Sequence, residues 1–142
     1  NNLGMFDKAI EKYEKATEIN PQIADYYSDW GSVLLNQRKL SEAIEKFRKA
    51  TEINPQHVIA YYNWGIALFN LGKYDMAIEP FKKVIEIDPQ NVNVFYYLGI
   101  TYSTIGMKDE AVKIFRRVLE LKPEVSINND VNKRLDDLTK KE

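Results

Sequence analysis

The stretch "LGKYDMAIEPFKKV", residues 71–84, decides the fold because a close counterpart, "LGMFDKAIEKYEKA", occupies residues 3–16. Both segments carry Leu-Gly, an aromatic residue, Asp, the triplet Ala-Ile-Glu and a second aromatic residue at matching positions. The two copies start 68 residues apart (71 minus 3), which is twice 34. Self-similarity at a fixed interval of this size is the sequence signature of repeated, stacked structural units.

The 34-residue period extends along most of the chain. It relates Pro21, Pro55, Pro89 and Pro123; Gly31, Gly65 and Gly99; and Ala9, Ala43, Ala77 and Ala111. Aligning residues 24–57 with residues 58–91 gives 15 identities in 34 positions. Units of this kind bury their apolar faces only against their neighbours, so we expect a stack of repeats.

Each unit contains two helical patterns with recurring start signals. Before the first helix stands Asn-Pro or Asp-Pro, in which Asn or Asp suits the N-cap and Pro suits the first helical position. Before the second stands Asp or Ser, two residues ahead of the recurring alanine. The predicted N-cap residues are Asn20, Asn54 and Asp88 for the first helix, and Asp7, Ser41, Asp75 and Asp109 for the second.

Small and large residues recur together at the predicted helix crossings. A glycine inside a helix is roughly 1 kcal/mol less favourable than an alanine, so its recurrence predicts the close approach of a neighbouring helix. The large residues around it are Tyr27, Tyr61 and Phe95; Trp30, Trp64 and Leu98; and Phe47, Phe81 and Phe115. Predicted i,i+4 ion pairs on the solvated face of the second helix are Glu11–Lys15, Glu45–Lys49 and Glu79–Lys83.

Two residues depart from the pattern of the second helix. Pro80 lies inside that helix and costs up to about 3 kcal/mol unless the helix bends or starts late, so we expect a local irregularity. Lys108 stands where the other units have Phe6, Leu40 and Tyr74, which predicts looser packing at that corner.

The period and the order of these residues resemble the tetratricopeptide repeat, whose pattern runs W-x2-L-G-x2-Y, A-x3-F and P. The segment "LGITY" at residues 98–102 matches the central motif closely. The resemblance implies an all-α fold, a right-handed superhelical solenoid of antiparallel helix pairs. The implied boundaries are the second helix of a truncated repeat at 1–23, full repeats at 24–57, 58–91 and 92–125, and a C-terminal capping helix at 126–142.

The capping helix is predicted from a different pattern, because the repeat motif fails after Pro123. Apolar residues still recur at helical spacing, with charged residues between them. They are Ile127, Val131, Leu135 and Leu138. A helix with one polar side suits the open end of a solenoid.

Composition argues against several classes of partner. The chain has 20 basic and 21 acidic residues, interleaved along its length, so we expect no nucleic-acid partner. Residues 55–72 and 89–107 lack Asp, Glu, Lys and Arg, but Gln, Asn and Gly run through them, so we expect no membrane insertion. The absence of cysteine excludes disulfides and thiolate chemistry. The chain opens without Met or a signal pattern, which suggests a segment of a longer protein, and its compartment stays open, with the cytoplasm as the default.

Catalysis finds little support in the sequence. His57 is the only histidine and lies at a helix entry, where a surface or first-turn role is a better interpretation than a catalytic base. Asp25 and Asp29 share one helical face and could hold a metal ion or act as a carboxylate pair, although two ligands are too few for a site by themselves. No glycine cluster resembles a phosphate loop, so we expect no cofactor and no enzyme.

The resemblance also implies where a ligand would bind, because the first helices of the family line a concave groove. The groove positions carried over to this chain are Asp25, Ser28, Asp29, Ser32, Leu35 and Asn36; Ile59, Tyr62, Asn63, Ile66, Phe69 and Asn70; and Asn93, Tyr96, Tyr97, Ile100, Ser103 and Thr104. None of them is Lys or Arg. Repeat packing does not require Tyr62 or Asn63, so we expect a ligand to contact these two residues first.

The groove chemistry predicts a non-enzymatic scaffold that binds a short neutral or basic, partly apolar peptide. Tyrosine supplies contact area, and asparagine supplies a donor and an acceptor for peptide backbone. The acidic C-terminal tails of chaperones, which the family grips with a carboxylate clamp, are not expected here. Asn63 matches the clamp, but Ser28, Ser32, Asn93 and Tyr97 replace its other residues, and no cation remains.

Two other interpretations stay open. The groove aromatics could simply bury one another along the helix stack. Alternatively, the chain could be a structural module that self-associates through its repeat ends, since the helix at residues 5–18 would expose Ile10 and Tyr13 where a partner helix is missing.

Overall fold

The computed structural model describes residues 2–140, and over this range the chain forms eight α-helices and no strand. They are α1 (Asn2–Ile19), α2 (Ala24–Asn36), α3 (Leu40–Ile53), α4 (Val58–Asn70), α5 (Tyr74–Ile87), α6 (Val92–Thr104), α7 (Lys108–Glu120) and α8 (Val125–Thr139). The predicted all-α helical-repeat fold is confirmed. The outermost residues of the two predicted terminal segments, 1, 141 and 142, lie outside the described range.

The chain divides after Lys73 into two compact units. In unit 1 each of the helices α1 to α4 packs on the next, and α2 also contacts α4. In unit 2 the helices α5 to α8 pack in the same consecutive order. Each unit therefore repeats one construction, in which a helix is held by its neighbours in sequence.

Small apolar residues and aromatic rings form the core of both units. The core of unit 1 contains Ala24, Leu34, Ala43, Phe47, Ala50, Ala60 and Ala67, with Ile10, Tyr27, Trp30 and Trp64 packed at its edge. In unit 2 the fully buried apolar residues are Ala77, Phe81, Val84, Val94, Ala111, Phe115, Val118 and Val131. The predicted recurrence of alanine and phenylalanine on the second helix is thus the recurrence of core positions.

Both tryptophans belong to unit 1 and lie on its first helices. The ammonium of Lys46 sits 3.5 Å from the centre of the Trp30 ring, and Tyr61 stacks on Trp64 with ring centres 6.2 Å apart. The buried indole N–H of each tryptophan has no hydrogen-bond partner in the described part of the chain. Trp30 is therefore held by packing and by a cation, and Trp64 by packing with Tyr61.

The predicted glycine contacts are present inside each unit. A Cβ built on Gly31 would lie 2.7 Å from a ring carbon of Phe47, and one on Gly99 would lie 2.6 Å from the corresponding carbon of Phe115. Such distances are well inside van der Waals contact, so only glycine lets the ring approach the backbone of the first helix. The recurrent pair of glycine and phenylalanine therefore sets the spacing of the two helices of a repeat.

The predicted N-caps of the first helices are wrong by three residues. The helices start at Ala24, Val58 and Val92, whereas Asn20, Asn54 and Asp88 lie in the preceding turns. There each side-chain oxygen accepts a hydrogen bond from the backbone N–H two residues later, at 3.2, 3.0 and 3.3 Å. Asn or Asp followed by proline forms a local side-chain turn of this kind as readily as a cap, and the turn prevails here.

The predicted N-caps of the second helices are also wrong, by two residues in α3 and α7, where the caps are Lys39 and Met107. Ser41, Asp75 and Asp109 are the second residues of α3, α5 and α7, and Asp7 lies within α1, which already starts at Asn2. The carboxylates of Asp75 and Asp109 lie in the first turns, where the positive end of the helix dipole favours them.

Pro80 and Lys108 have different outcomes. Of the two ways in which Pro80 could disturb the second helix, a late start is excluded, because α5 begins at Tyr74, the position that matches Leu40 in α3, and continues through a buried Pro80. Lys108 is exposed at the first position of α7, whereas its counterparts Leu40 and Tyr74 are half-buried. This corner of the last repeat is therefore open to solvent, whereas the matching corners of the earlier repeats are apolar and half-buried.

The predicted i,i+4 ion pair is present in α1, and the lysines of α3 and α5 form pairs of i,i+3 spacing. Lys15 lies 2.6 Å from Glu11, as the i,i+4 pattern predicts. Lys49 instead lies 3.9 Å from Glu52, and Lys83 lies 2.6 Å from Glu86, three residues further on. Exposed ion pairs of either spacing contribute little to stability, so a flexible lysine can form one or the other with little difference in free energy.

Gly31→Ala tests whether the contact with Phe47 limits the packing of α2 against α3. The substitution gains helix propensity, but we expect a net loss of about 1–3 kcal/mol in the free energy of unfolding because the ring must move. Gly4→Ala is the matched control, since space is open around Gly4 in α1. Urea unfolding followed by circular dichroism measures both, and equal stability of the two variants would contradict the packing argument.

Candidate functional site

The predicted ligand-facing residues of α2 differ in accessibility. Asp25, Asp29 and Asn36 are exposed, and the Asp25 side chain retains 81% of its accessible surface. Ser32 is half-buried, but Ser28 is only 2% exposed and cannot meet a ligand. The placement of Ser28 in the groove is therefore wrong, because this small hydroxyl is enclosed by the helix stack. The exposed carboxylates of Asp25 and Asp29 make this end of α2 acidic.

His57 joins α4 to Asp25 and is buried, with 9% of its surface exposed. Its Nδ1 accepts a hydrogen bond from the Ala60 backbone N–H at 3.3 Å, so His57 is the N-cap of α4. Its Nε2 lies 3.0 Å from Oδ1 of Asp25. Since Nδ1 accepts, a neutral ring carries its proton on Nε2 and donates it to the carboxylate. The first-turn role is confirmed, but the residue lies beneath the surface.

Asn63 has a structural bond that the repeat pattern does not reveal. Its Nδ2 donates to Oγ of Ser32 at 3.3 Å, and that hydroxyl donates to the Ser28 backbone oxygen at 2.9 Å. Asn63 therefore ties α4 to α2, so the expectation that packing does not require Asn63 is wrong. The remaining hydrogen-bonding capacity of its amide is available to a peptide.

The remaining predicted residues of α4 form a mixed apolar and polar strip. Ile59 is 62% exposed, which is high for an isoleucine in a helix. Tyr62, Ile66 and Phe69 are half-buried, and Asn70 at the end of the helix is exposed. An exposed aliphatic side chain beside half-buried aromatic ones suits an apolar side chain of a ligand.

In unit 2 the predicted residues of α6 are partly used by the fold. The ring of Tyr97 stacks on Phe81 with centres 6.3 Å apart and meets Tyr96 edge-on at 5.8 Å. These contacts favour the interpretation in which the aromatics bury one another. Asn93 is exposed and Ile100 is half-buried, so both keep accessible surface.

Tyr96 is held by α8 through a carboxylate. Its hydroxyl donates to Oδ2 of Asp130 at 2.8 Å, and Nε of Arg134 donates to the same oxygen at 2.5 Å. Asp130 follows Tyr96 by 34 residues, so the repeat period continues into α8. None of the predicted groove positions is Lys or Arg, but α8 brings Arg134 to the carboxylate that holds Tyr96. The period itself was the signal that could have found both residues.

The pKa values in these networks shift in directions that their geometry explains. Burial raises the pKa of the Tyr96 hydroxyl, and its bond to Asp130 raises it further. Burial alone would raise the pKa of Asp130, but the hydrogen bonds from Arg134 and Tyr96 outweigh it and lower that pKa. In unit 1, burial and the nearby charge of Asp29 raise the pKa of Tyr13. Tyr13 of α1 thus lies within the field of Asp29.

Within residues 2–140 no three His, Asp or Glu side chains come together to hold a metal ion, and Asp25 is bound to His57 instead. No helix there is long and apolar enough to span a bilayer.

The helix order and the glycine–phenylalanine contacts agree with matches to known families. Tetratricopeptide repeat models match residues 1–23, 58–91 and 81–113, and a TPR repeat model matches residues 31–72. The chain belongs to the tetratricopeptide repeat (TPR) family. The TPR fold is a scaffold for protein–protein interaction, so the coarse function is protein binding. No curated protein matches the chain significantly.

Solved TPR structures resemble the chain over nearly its whole length. MamA has 24% identity and a TM-score of 0.85, covering 96% of this chain and 84% of its own. YrrB, a TPR protein with an unusual peptide-binding site, has 25% identity and a TM-score of 0.81, covering 92% of this chain and 67% of its own. The Arabidopsis OM64 TPR domain has 22% identity and a TM-score of 0.74, covering 80% and 94%.

Asp130→Asn tests the link between α6 and α8 through its pH dependence. Because the pKa of Asp130 is lowered in the folded state, ionised Asp130 stabilises the protein above its unfolded-chain pKa of about 3.9. This contribution disappears as the pH falls through the lower folded-state pKa. We expect the variant to be less stable at neutral pH and to approach the wild type in acid, measured by thermal melts across pH. A difference that persists unchanged at low pH would contradict the ionic link.

Proposed function

We propose that this TPR chain is a non-enzymatic scaffold whose first helices bind a short neutral or basic, partly apolar peptide. The observation that supports the proposal best is the surface of α2 and α4, where the exposed Asp25 and Asp29 accompany the exposed Ile59. A peptide with an apolar side chain and a neighbouring cation suits that combination. The peptide-binding site of YrrB, at 25% identity, lends the general class further support.

The proposal has a specific polar geometry in unit 1. The bond from His57 holds one oxygen of Asp25, so the outer oxygen remains directed to solvent for a lysine or arginine of the ligand. Charge-assisted hydrogen bonds to carboxylates are roughly twice as strong as neutral ones. The amide of Asn63 would pair with ligand backbone. We also propose that the repeat boundaries at 24–57, 58–91 and 92–125 describe the units that present this surface.

The peptide preference can be measured on an array of basic, neutral and acidic peptides of equal length and one central leucine. We expect capture of the basic and neutral peptides, and Asp29→Asn should weaken the basic ones by about two- to fivefold by removing one charge, without weakening any capture of the acidic peptides. Fluorescence anisotropy on the best peptide provides the affinities.

Matched variants separate ligand contacts from folding effects in that experiment. Ser32→Ala removes the intramolecular partner of Asn63 but leaves its amide, whereas Asn63→Ala removes both. Glu45→Ala on the solvated side of α3 controls for charge loss away from the surface. Equal binding by Asn63→Ala, Asp29→Asn and the wild type would contradict the groove proposal, and so would equal loss in Glu45→Ala.

A second candidate function is self-association through α1, supported by the exposure of Met5; Ile10 and Tyr13, which the sequence predicts to be exposed, are half-buried instead. Met5 is 69% exposed, and a cleft of about 410 Å³ runs beside Met5, Ala9 and Tyr13. Ala9 is half-exposed, although its repeat counterparts Ala43 and Ala111 are fully buried. Apolar surfaces of this kind favour a protein partner, here a second copy of the chain.

Sedimentation velocity over a range of protein concentrations tests the self-association. We expect a concentration-dependent rise in the sedimentation coefficient, and Met5→Lys should abolish it by placing a charge in the interface while leaving the core intact. Monomeric behaviour of the wild type at high concentration would contradict this function without affecting the peptide proposal.

A further inference from the structure

Unit 2 contains a second cleft, between the outer side of α7 and the end of α8, with a volume of about 630 Å³. Three exposed cations line it, Lys108, Lys113 and Arg116, and the half-buried Val112 and Leu138 supply its apolar part. None of these residues belongs to the predicted groove positions. The cleft is therefore a candidate site that the proposed function does not use.

The cations occupy positions that have other chemistry in the rest of the repeats. Lys113 stands where the other repeats carry glutamate, at Glu11, Glu45 and Glu79. Lys108 likewise replaces an apolar residue. Because the repeat fold forms in unit 1 without these cations, repeat packing does not require them.

The local ion pairs of α7 leave the three cations available. Arg117 bonds to Glu120 at 2.9 Å, so one carboxylate at the edge of the cleft is already neutralised. Lys113 precedes Arg117 by four residues, a like-charge spacing that destabilises a helix where the other repeats have Glu and Lys. Within residues 2–140, no hydrogen bond or ion pair is formed by the side chains of Lys108, Lys113 or Arg116. Asp109 is the remaining carboxylate at the cleft.

We propose that this cleft, formed by Lys108, Val112, Lys113, Arg116 and Leu138, binds an acidic peptide segment that carries an apolar side chain. From Lys108 to Arg116 the helix rises about 12 Å, which a chain of roughly four extended residues spans. A single phosphate would reach only part of that row, whereas successive carboxylates of a peptide can meet all three cations. Val112 and Leu138 would hold the apolar side chain between them.

The test uses the full chain and a short fluorescein-labelled peptide of alternating glutamate and leucine residues. Lys113→Glu together with Arg116→Glu should weaken binding by about tenfold or more, because each reversal removes an attraction and adds a repulsion. Arg48→Glu is the matched control, since Arg48 is exposed at the same repeat position as Arg116 but lies in unit 1. Thermal melts verify that the variants remain folded.

Backbone amide shifts on titration with the same peptide locate its site. We expect the shifts in α7 and α8, with little change in Asn63→Ala, so that failure of the groove proposal would leave this result intact. Absence of binding, an equal loss in Arg48→Glu, or shifts confined to α2, α4 and α6 would overturn the proposal. Displacement of the peptide by inorganic phosphate at equal concentration, or tighter binding of anionic lipid vesicles or an RNA oligonucleotide to the same cations, would also overturn it.

Discussion

The contact between a phenylalanine ring and the backbone of a helical glycine is the one on which the other features depend. Gly31 accepts Phe47, and Gly99 accepts Phe115, because neither glycine has a side chain that would hold the ring away. The two helices of a repeat can then lie close enough for recurring alanines to fill the rest of the crossing. With one side of each first helix buried in this way, its other side is left for polar bonds and ligands.

Polar bonds between successive first helices use part of the surface that a ligand would otherwise meet. His57 reaches Asp25, Asn63 reaches Ser32, and Tyr96 reaches Asp130. In each case the bond joins a helix, or its N-cap residue, to the helix two places away in the chain, α2 with α4 or α6 with α8. Stacking and recognition therefore draw on the same residues, and a substitution at any of them changes stability as well as surface chemistry.

The fold could be predicted from the sequence because its determinants are periodic. Glycine, alanine and phenylalanine recur every 34 residues. Because these residues are buried, replacing one with a larger or smaller residue lowers the stability of the fold. Helix starts were less predictable, since Asn54 followed by proline satisfies either a cap or a turn, and the two differ little in energy. The polar partners of Asn63 and His57 were not predictable, because a hydrogen bond between helices depends on a particular distance and has no repeating sequence signal.

The surface chemistry was predictable in kind but not in detail. The acidic patch on α2 follows directly from Asp25 and Asp29, whereas the role of Arg134 depends on the continuation of the period past Pro123 into α8. Lys113 illustrates the reverse case, since its departure from glutamate is plain in the sequence. The cleft beside Lys113 was not predictable, because it depends on how α8 packs against α7.

The location of both tryptophans in unit 1 makes the chain optically asymmetric. Indole fluorescence reports on the surroundings of Trp30, beneath the Lys46 ammonium, and of Trp64, beside Tyr61. Unit 2 contributes no indole signal, whereas backbone circular dichroism records both units. In a repeat array, where neighbouring segments can open separately, the difference between the two signals therefore reads out which half of the molecule melts first.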